Sequence, residues 1–127
     1  MISWNHVKYF NINNPPLNNF KRKCHDEKKY TEYLDFLKKN SITQHDNIIK
    51  NIIGDNKYVV VKNTFPYDLN KDIEHWLLWV NPKDKLNISE IDTIIKNKFK
   101  TCVYFSNIEK NKSVKTIEHY QIFVYKG

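Results

Sequence analysis

One segment of the chain occurs twice, and this repeat constrains the fold more than any other feature of the sequence. Residues 73–80 read Ile-Glu-His-Trp-Leu-Leu-Trp-Val, and residues 117–124 read Ile-Glu-His-Tyr-Gln-Ile-Phe-Val. The offset is 107 − 63 = 44 residues, since Asn63 corresponds to Asn107 without a gap. Each copy reads as an apolar strand ending in Asn, a loop, and a second strand that opens with Ile-Glu-His. The repeat therefore predicts two β-hairpins, with a helix between them.

Alternation along the second strand of each copy separates its side chains into two faces. One face carries a glutamate, an aromatic residue and two aliphatic residues, and we expect it to pack against helices: Glu74, Trp76, Leu78 and Val80, matched by Glu118, Tyr120, Ile122 and Val124. The other face carries the histidines, Gln121 and two large aromatic residues, a mixture suited to lining a pocket. If a pseudo-dyad relates the hairpins, the two histidines and the two asparagines should converge on one cleft.

The segment before the first hairpin predicts helices. A short helix is expected from Ser3 to Phe10, a second from Asp26 to Lys39, and a third from Ser41 to Gly54. We therefore predict a single α+β domain over residues 1–127, with helices in 1–56 and the repeated hairpins in 57–127. The ββ-α-ββ repeat should form an antiparallel sheet with the helices packed on one face.

Composition and charge exclude several classes of protein. Two glycines are too few for a glycine-rich phosphate loop, and two cysteines make neither a disulfide framework nor a zinc set. The N-terminal residues do not resemble a signal peptide, and no window is apolar enough to span a bilayer. We expect an intracellular, cytoplasmic protein without a membrane partner. The net charge of +7 fits either polyanion binding or the Lys, Asn and Ile usage of an AT-rich genome, such as a viral one.

The order of short motifs resembles that of the DUF3605 family, which includes fungal N-acetylglucosamine-induced proteins. The matching elements span nearly the whole chain: Ser3-Trp4, Leu17 to Arg22, Asn63-Thr64-Phe65-Pro66-Tyr67, His75 to Trp79, Phe105-Ser106-Asn107, Lys112-Ser113-Val114 and Glu118-His119-Tyr120. Two positions depart from the family pattern, because Asp68 stands in place of Gly, and Gln121 in place of a second histidine. The resemblance implies a fold and the position of a site, but no reaction.

The two histidines are the sharpest chemical feature, because an imidazole can act near neutral pH as an acid, a base or a phosphate ligand. Their predicted layout is similar to that of the two-histidine phosphoesterases, in which one histidine deprotonates a hydroxyl and the other protonates a leaving group. The alternative is that each imidazole bonds its own loop and fixes the hairpin. A metal fits less well, since Glu74 and Glu118 lie on the opposite strand face. We expect neither a metal nor a cofactor.

These observations predict a pocket for a small anionic or sugar-containing ligand, such as a nucleotide or a sugar phosphate. Its catalytic residues would be His75 and His119. Its binding residues would be Asn63, Tyr67, Trp79, Asn107 and Ser113, with Arg22 or Lys112 holding the anion. The alternative is a non-enzymatic binding module for RNA or a protein partner, in which the repeat is purely architectural. The sequence leaves the ligand and the oligomeric state open.

Overall fold

The computed structural model describes residues 1–127 and has a four-stranded antiparallel sheet at its centre. The strands are β1 (Tyr58–Lys62), β2 (Ile73–Val80), β3 (Cys102–Phe105) and β4 (His119–Tyr125), and their order across the sheet is β1-β2-β4-β3. The predicted hairpins are therefore β1-β2 and β3-β4, joined through their second strands. The predicted α+β class and antiparallel sheet are confirmed.

The sheet register reproduces the pseudo-dyad of the repeat. Leu77 of β2 lies opposite Gln121 of β4, and these are the positions that the repeat equates. On either side of this pair, His75 lies opposite Phe123 and Trp79 lies opposite His119. The two histidines thus share one face of the sheet but are four residues apart along the strands, or about 13 Å.

The face that carries Leu78 and Val80 packs against helix α4 (Ile88–Lys98). Asn87 begins this helix with a capping box, in which the Asn87 side chain accepts from the Glu90 backbone and Glu90 accepts from the Asn87 backbone. The apolar stripe of the helix buries Ile91 and Ile95 completely. The core on this side of the sheet consists of buried side chains from the helix, its C-cap residue and three strands: Leu78, Val80, Ile91, Ile95, Phe99, Tyr104, Ile122 and Val124.

The N-terminal segment covers the histidine-bearing face. It contains α1 (Trp4–Val7), α2 (Cys24–Lys39) and α3 (Gln44–Ile48), and α3 continues into a π-helical turn (Ile49–Ile53). Two apolar clusters lie between this segment and the sheet, with side chains from both. One contains Val7, Tyr67, Leu69, Ile73, Phe105 and Phe123, and the other contains Ile48, Ile53, Leu77, Trp79, Val114 and Ile117. Helices therefore lie on both faces rather than on one as expected, because the central strands are apolar on both sides.

Several element ends differ from the prediction by a few residues. Helix α2 begins at Cys24 and not at Asp26. Helix α3 begins after Thr43, whose side chain accepts a hydrogen bond from the Asp46 backbone, because Ser41 adopts a positive φ of 54° in the preceding turn. Gly54 ends the π-helical turn at φ 59°, a conformation that suits glycine. None of the helices is both long and apolar enough to cross a membrane.

Candidate ligand-binding site

A cavity of about 290 Å³ lies between the histidine-bearing face of the sheet and helices α2 and α3. This volume is just below the range of roughly 300–1,000 Å³ that is typical of small-ligand pockets. Its floor is the centre of the pseudo-dyad, with Leu77 and Trp79 from β2 and His119 and Gln121 from β4. The pocket therefore lies where the two copies of the repeat meet.

Aromatic rings form much of the wall. Tyr30 and Tyr33 of α2 lie 6.3 Å apart, and the Phe65 ring contacts both at 5.2 and 5.3 Å. On the floor, the Trp79 ring lies 4.6 Å from the His119 ring. None of the lining residues is Asp or Glu. The pocket thus presents apolar ring faces and neutral polar groups, without a carboxylate to repel an anion.

His75 lies beneath the pocket and orients Gln121. Its Nδ1 accepts a hydrogen bond from the Tyr67 backbone N–H at 3.2 Å. Its Nε2 therefore carries the proton and donates to Gln121 Oε1 at 2.5 Å. Complete burial lowers the pKa of His75 to about 4, which keeps the imidazole neutral. Since Gln121 uses its oxygen on His75, its amide nitrogen is directed away from that ring. His75 is not itself among the residues that line the pocket.

His119 lies on the pocket floor with one ring nitrogen fixed by the backbone. Its Nδ1 lies 2.8 Å from the Ile117 carbonyl oxygen, so Nδ1 carries the proton and donates. Its Nε2 is then an acceptor, and no protein group bonds to it. Burial lowers the pKa of His119, and this favours the neutral form. The floor therefore offers an acceptor at His119.

The two asparagines of the repeat have different roles. Asn63 lines the pocket, and its side-chain oxygen accepts from the Phe65 backbone at 2.9 Å. Its amide nitrogen lies 3.4 Å from both ring nitrogens of His75, a position that fits contact with the ring more than a hydrogen bond to one nitrogen. Asn107 is buried and donates to the Tyr67 hydroxyl at 3.1 Å. Burial raises the pKa of Tyr67.

Arg22 places its guanidinium group at the rim of the pocket. Its Nε donates to the Phe65 carbonyl at 2.9 Å, and its Nη1 lies 3.5 Å from a carboxylate oxygen of Glu27. The guanidinium carbon lies 4.1 Å from the centre of the Tyr30 ring. These contacts hold the side chain in place beside the cavity. An arginine held in this way can receive an anion with little further loss of conformational freedom.

The structure brings together most, but not all, of the residues that the sequence indicated. Arg22, Asn63, Tyr67, Trp79, Ser113 and His119 line the pocket. His75 and Asn107 do not, because their side chains hold Gln121 and Tyr67 from below. Lys112 lies outside the lining and pairs with Glu109 at 3.4 Å. No group of three or more His, Cys, Asp or Glu side chains is placed to hold a metal ion.

The wall of the pocket that α2 and α3 provide was not predicted from the sequence. The spacing of Tyr30 and Tyr33 indicates the apolar stripe of a helix, and nothing in it distinguishes a stripe on a core from one on a cavity. Gln44 and Asn47 donate to the hydroxyls of these tyrosines at 3.4 and 2.7 Å and also line the pocket. The sequence did give a sign that Gln121 belongs to the site, because Gln121 is the polar side chain at the centre of the repeat.

Comparisons with known proteins agree with the fold. The family model described as protein of unknown function (DUF3605) matches residues 3–125. No curated protein matches the chain. The crystal structure of a protein called HTC1 is similar, with a TM-score of 0.58 over 98% of this chain and 85% of that chain. Sequence identity to HTC1 is 20%, so this likeness shows the fold alone.

Proposed function

The chain belongs to the DUF3605 family, and from this premise we propose that it is a small-molecule-binding domain. Its ligand is a nucleotide, a sugar phosphate or a similar small anionic molecule, held in the pocket at the pseudo-dyad. The observation that carries this proposal is the pair of unsatisfied polar groups on the pocket floor. Neither the Gln121 amide nitrogen nor His119 Nε2 has a partner in the protein, although both side chains are at least nine-tenths buried.

Unsatisfied polar groups beneath a cavity favour a ligand over a purely structural role. Polar atoms inside proteins nearly always have a hydrogen-bond partner, so polar atoms that face a cavity and have no protein partner indicate a partner that enters the cavity. Neither atom is among the fully enclosed side-chain atoms that lack a hydrogen-bond partner, which are Asp68 Oδ1, Asp72 Oδ1 and Trp79 Nε1. Both therefore reach the cavity, where a bound molecule would satisfy them.

Arg22 would hold the anionic part of the ligand. It is the only arginine in the chain, its side chain is 18% exposed, and it lines the same cavity. Lys62 also borders the cavity, but its ammonium group is bound to Glu74 at 3.1 Å. The anion would thus sit at the rim beside Arg22, with the remainder of the ligand between the aromatic wall and the floor.

Acid–base chemistry in this pocket would fall to His119. Its unprotonated Nε2 could accept a proton from a bound hydroxyl, while the Ile117 carbonyl holds the ring in the required tautomer. A two-histidine exchange has less support, because both ring nitrogens of His75 are already engaged. Turnover would be tested on the ligands that bind.

A binding screen tests the proposal. Nucleoside monophosphates, sugar phosphates and short RNA are titrated by calorimetry into the unmodified protein, His119→Gln and Arg22→Gln. His25→Gln, which changes an imidazole outside the pocket, is the matched control. We expect one class of small anion to bind, with at least about a tenfold loss in both pocket variants and none in the control.

Two results would count against the proposal. The first is the absence of binding by every small anion. The second is RNA binding that falls steeply with salt and survives both pocket substitutions, which would favour the alternative of a basic RNA-binding module.

A further inference from the structure

The two free polar groups on the pocket floor have fixed hydrogen-bonding roles, one as donor and one as acceptor. Gln121 must present its amide N–H, because its oxygen is held by His75. His119 must present an acceptor, because its other ring nitrogen donates to the Ile117 carbonyl. The same cavity is therefore offered a donor and an acceptor, and neither can exchange its role without breaking the hydrogen bond that fixes it.

The two side chains start from neighbouring positions on one face of β4. Gln121 and His119 are two residues apart on β4. Their side chains therefore leave the same face of the sheet at backbone positions about 7 Å apart. Long side chains on such neighbouring positions can converge on adjacent atoms of one ligand. Sugar hydroxyls rotate and can each donate or accept, so they do not require a fixed order. A rigid amide edge, with a carbonyl next to an N–H, does require one.

The walls of the cavity are aromatic, which also suits a planar base. Tyr30, Tyr33, Phe65 and Trp79 present aromatic rings to the cavity. Stacking of a nucleobase on an aromatic side chain contributes substantially to binding and does not depend on the identity of the base. Proteins that read a single base combine such stacking with hydrogen bonds to the edge that the base uses for pairing.

We infer that the pocket recognises the amide edge of a nucleobase, with Gln121 donating to a ring carbonyl and His119 accepting from the adjacent ring N–H. This inference rests on the proposed function and narrows its ligand to a nucleotide of the uracil or guanine type. His75 is then a positioning residue, which acts through Gln121. Arg22 is placed at the rim for the phosphate.

Ligand analogues test the inference without altering the protein. Calorimetry compares uridine and guanosine monophosphates with their analogues methylated on the ring N–H, with cytidine and adenosine monophosphates, and with ribose phosphate. Methylation should weaken binding about tenfold to a hundredfold, since His119 Nε2 would lose its donor and remain buried. Ribose phosphate should bind at least about tenfold more weakly than the best nucleotide.

A matched pair of variants tests the order of the groups. Gln121→Glu keeps an acceptor for His75 but turns the group facing the ligand from a donor into an acceptor. Gln44→Glu places the same charge on the wall of the same pocket, and circular dichroism checks the fold of both. We expect Gln121→Glu to lose at least about tenfold more affinity for the nucleotide than Gln44→Glu.

The outcomes separate the inference from the proposed function. Equal binding of ribose phosphate and nucleotides, with Arg22→Gln weakening both, would overturn the nucleobase inference and leave the anion pocket standing. Equal binding of the methylated analogues, or of cytidine and adenosine monophosphates, would overturn the assigned hydrogen bonds. Binding by none of these molecules would refute both ideas.

Discussion

Acidification from pH 7 to pH 5 should lower the free energy of unfolding by about 2 kcal/mol, because His75 is buried in its neutral form. Burial lowers the pKa of His75 from its ordinary value of 6.5 to about 4, and the hydrogen bond to Gln121 opposes this shift only in part. In the unfolded chain the imidazole gains a proton as the pH falls through about 6.5. In the folded protein it stays neutral until the pH approaches about 4.

The sign and the size of the effect follow from this difference in bound protons. Between these two pKa values the unfolded state binds more protons, so the contribution to stability is complete above pH 6.5 and decreases as the pH falls. The slope approaches about 1.4 kcal/mol per pH unit, and the full loss near pH 4 is about 3 kcal/mol. For a domain of this length, a loss of about 2 kcal/mol lowers the melting temperature by roughly 7 °C. Burial also lowers the pKa of His119, which adds a contribution of the same sign.

Urea unfolding at half-unit steps from pH 7 to pH 5 measures the effect while most carboxylates remain ionised. His75→Asn keeps an acceptor for the Tyr67 backbone but does not titrate, so its unfolding free energy should be lower at pH 7 and depend less on pH. His25→Asn, which changes an imidazole outside the pocket, is the matched control. An equally steep dependence in His75→Asn and in the unmodified protein would refute the role assigned to the buried imidazole.

Three further changes in stability follow from the fold, and urea unfolding at pH 7 measures each. Asn87→Ala should cost about 1 kcal/mol, because it removes the capping box of α4, and Asn87→Ser should recover most of the loss. Leu78→Ala should cost about 2–5 kcal/mol, because the side chain is fully buried between β2 and α4; a cost below about 1 kcal/mol would contradict that packing. Gly54 has open space around it but a φ of 59°, which disfavours a Cβ. Gly54→Ala should therefore cost roughly 1 kcal/mol or more, and an unchanged stability would show that the backbone relaxes at no cost.

Local patterns in the sequence predicted the elements of the repeat well. Strict alternation placed Leu78 and Val80 on the face that packs against α4, and β2 begins and ends close to the predicted positions. The helix predicted between the hairpins is α4. These predictions succeed because strand alternation, helical spacing and capping depend on neighbours within a few residues. Strand β4 begins at His119, two residues after the predicted opening at Ile117, because the chain bends at residues 116–117.

The candidate site depended on contacts between distant segments. The repeat indicated that its two copies were equivalent, but not that they meet through β2 and β4, which places Leu77 opposite Gln121. That register separates the two histidines instead of joining them. It also puts the Gln121 side chain within reach of His75, 46 residues earlier in the chain. Nothing in the local pattern of either strand encodes this bond.

The sequence by itself determined the strands, the intervening helix and the two faces of the central strands, because each of these depends on residues near one another in the chain. Only the tertiary structure decided which histidine lines the pocket, which one supports it, and that α2 and α3 close the cavity with tyrosines. The physical reason is that burial and hydrogen-bond partners are set by packing between segments far apart in the chain. Equivalent residues in a repeat can therefore have different neighbours, and His75 and His119 differ in this way.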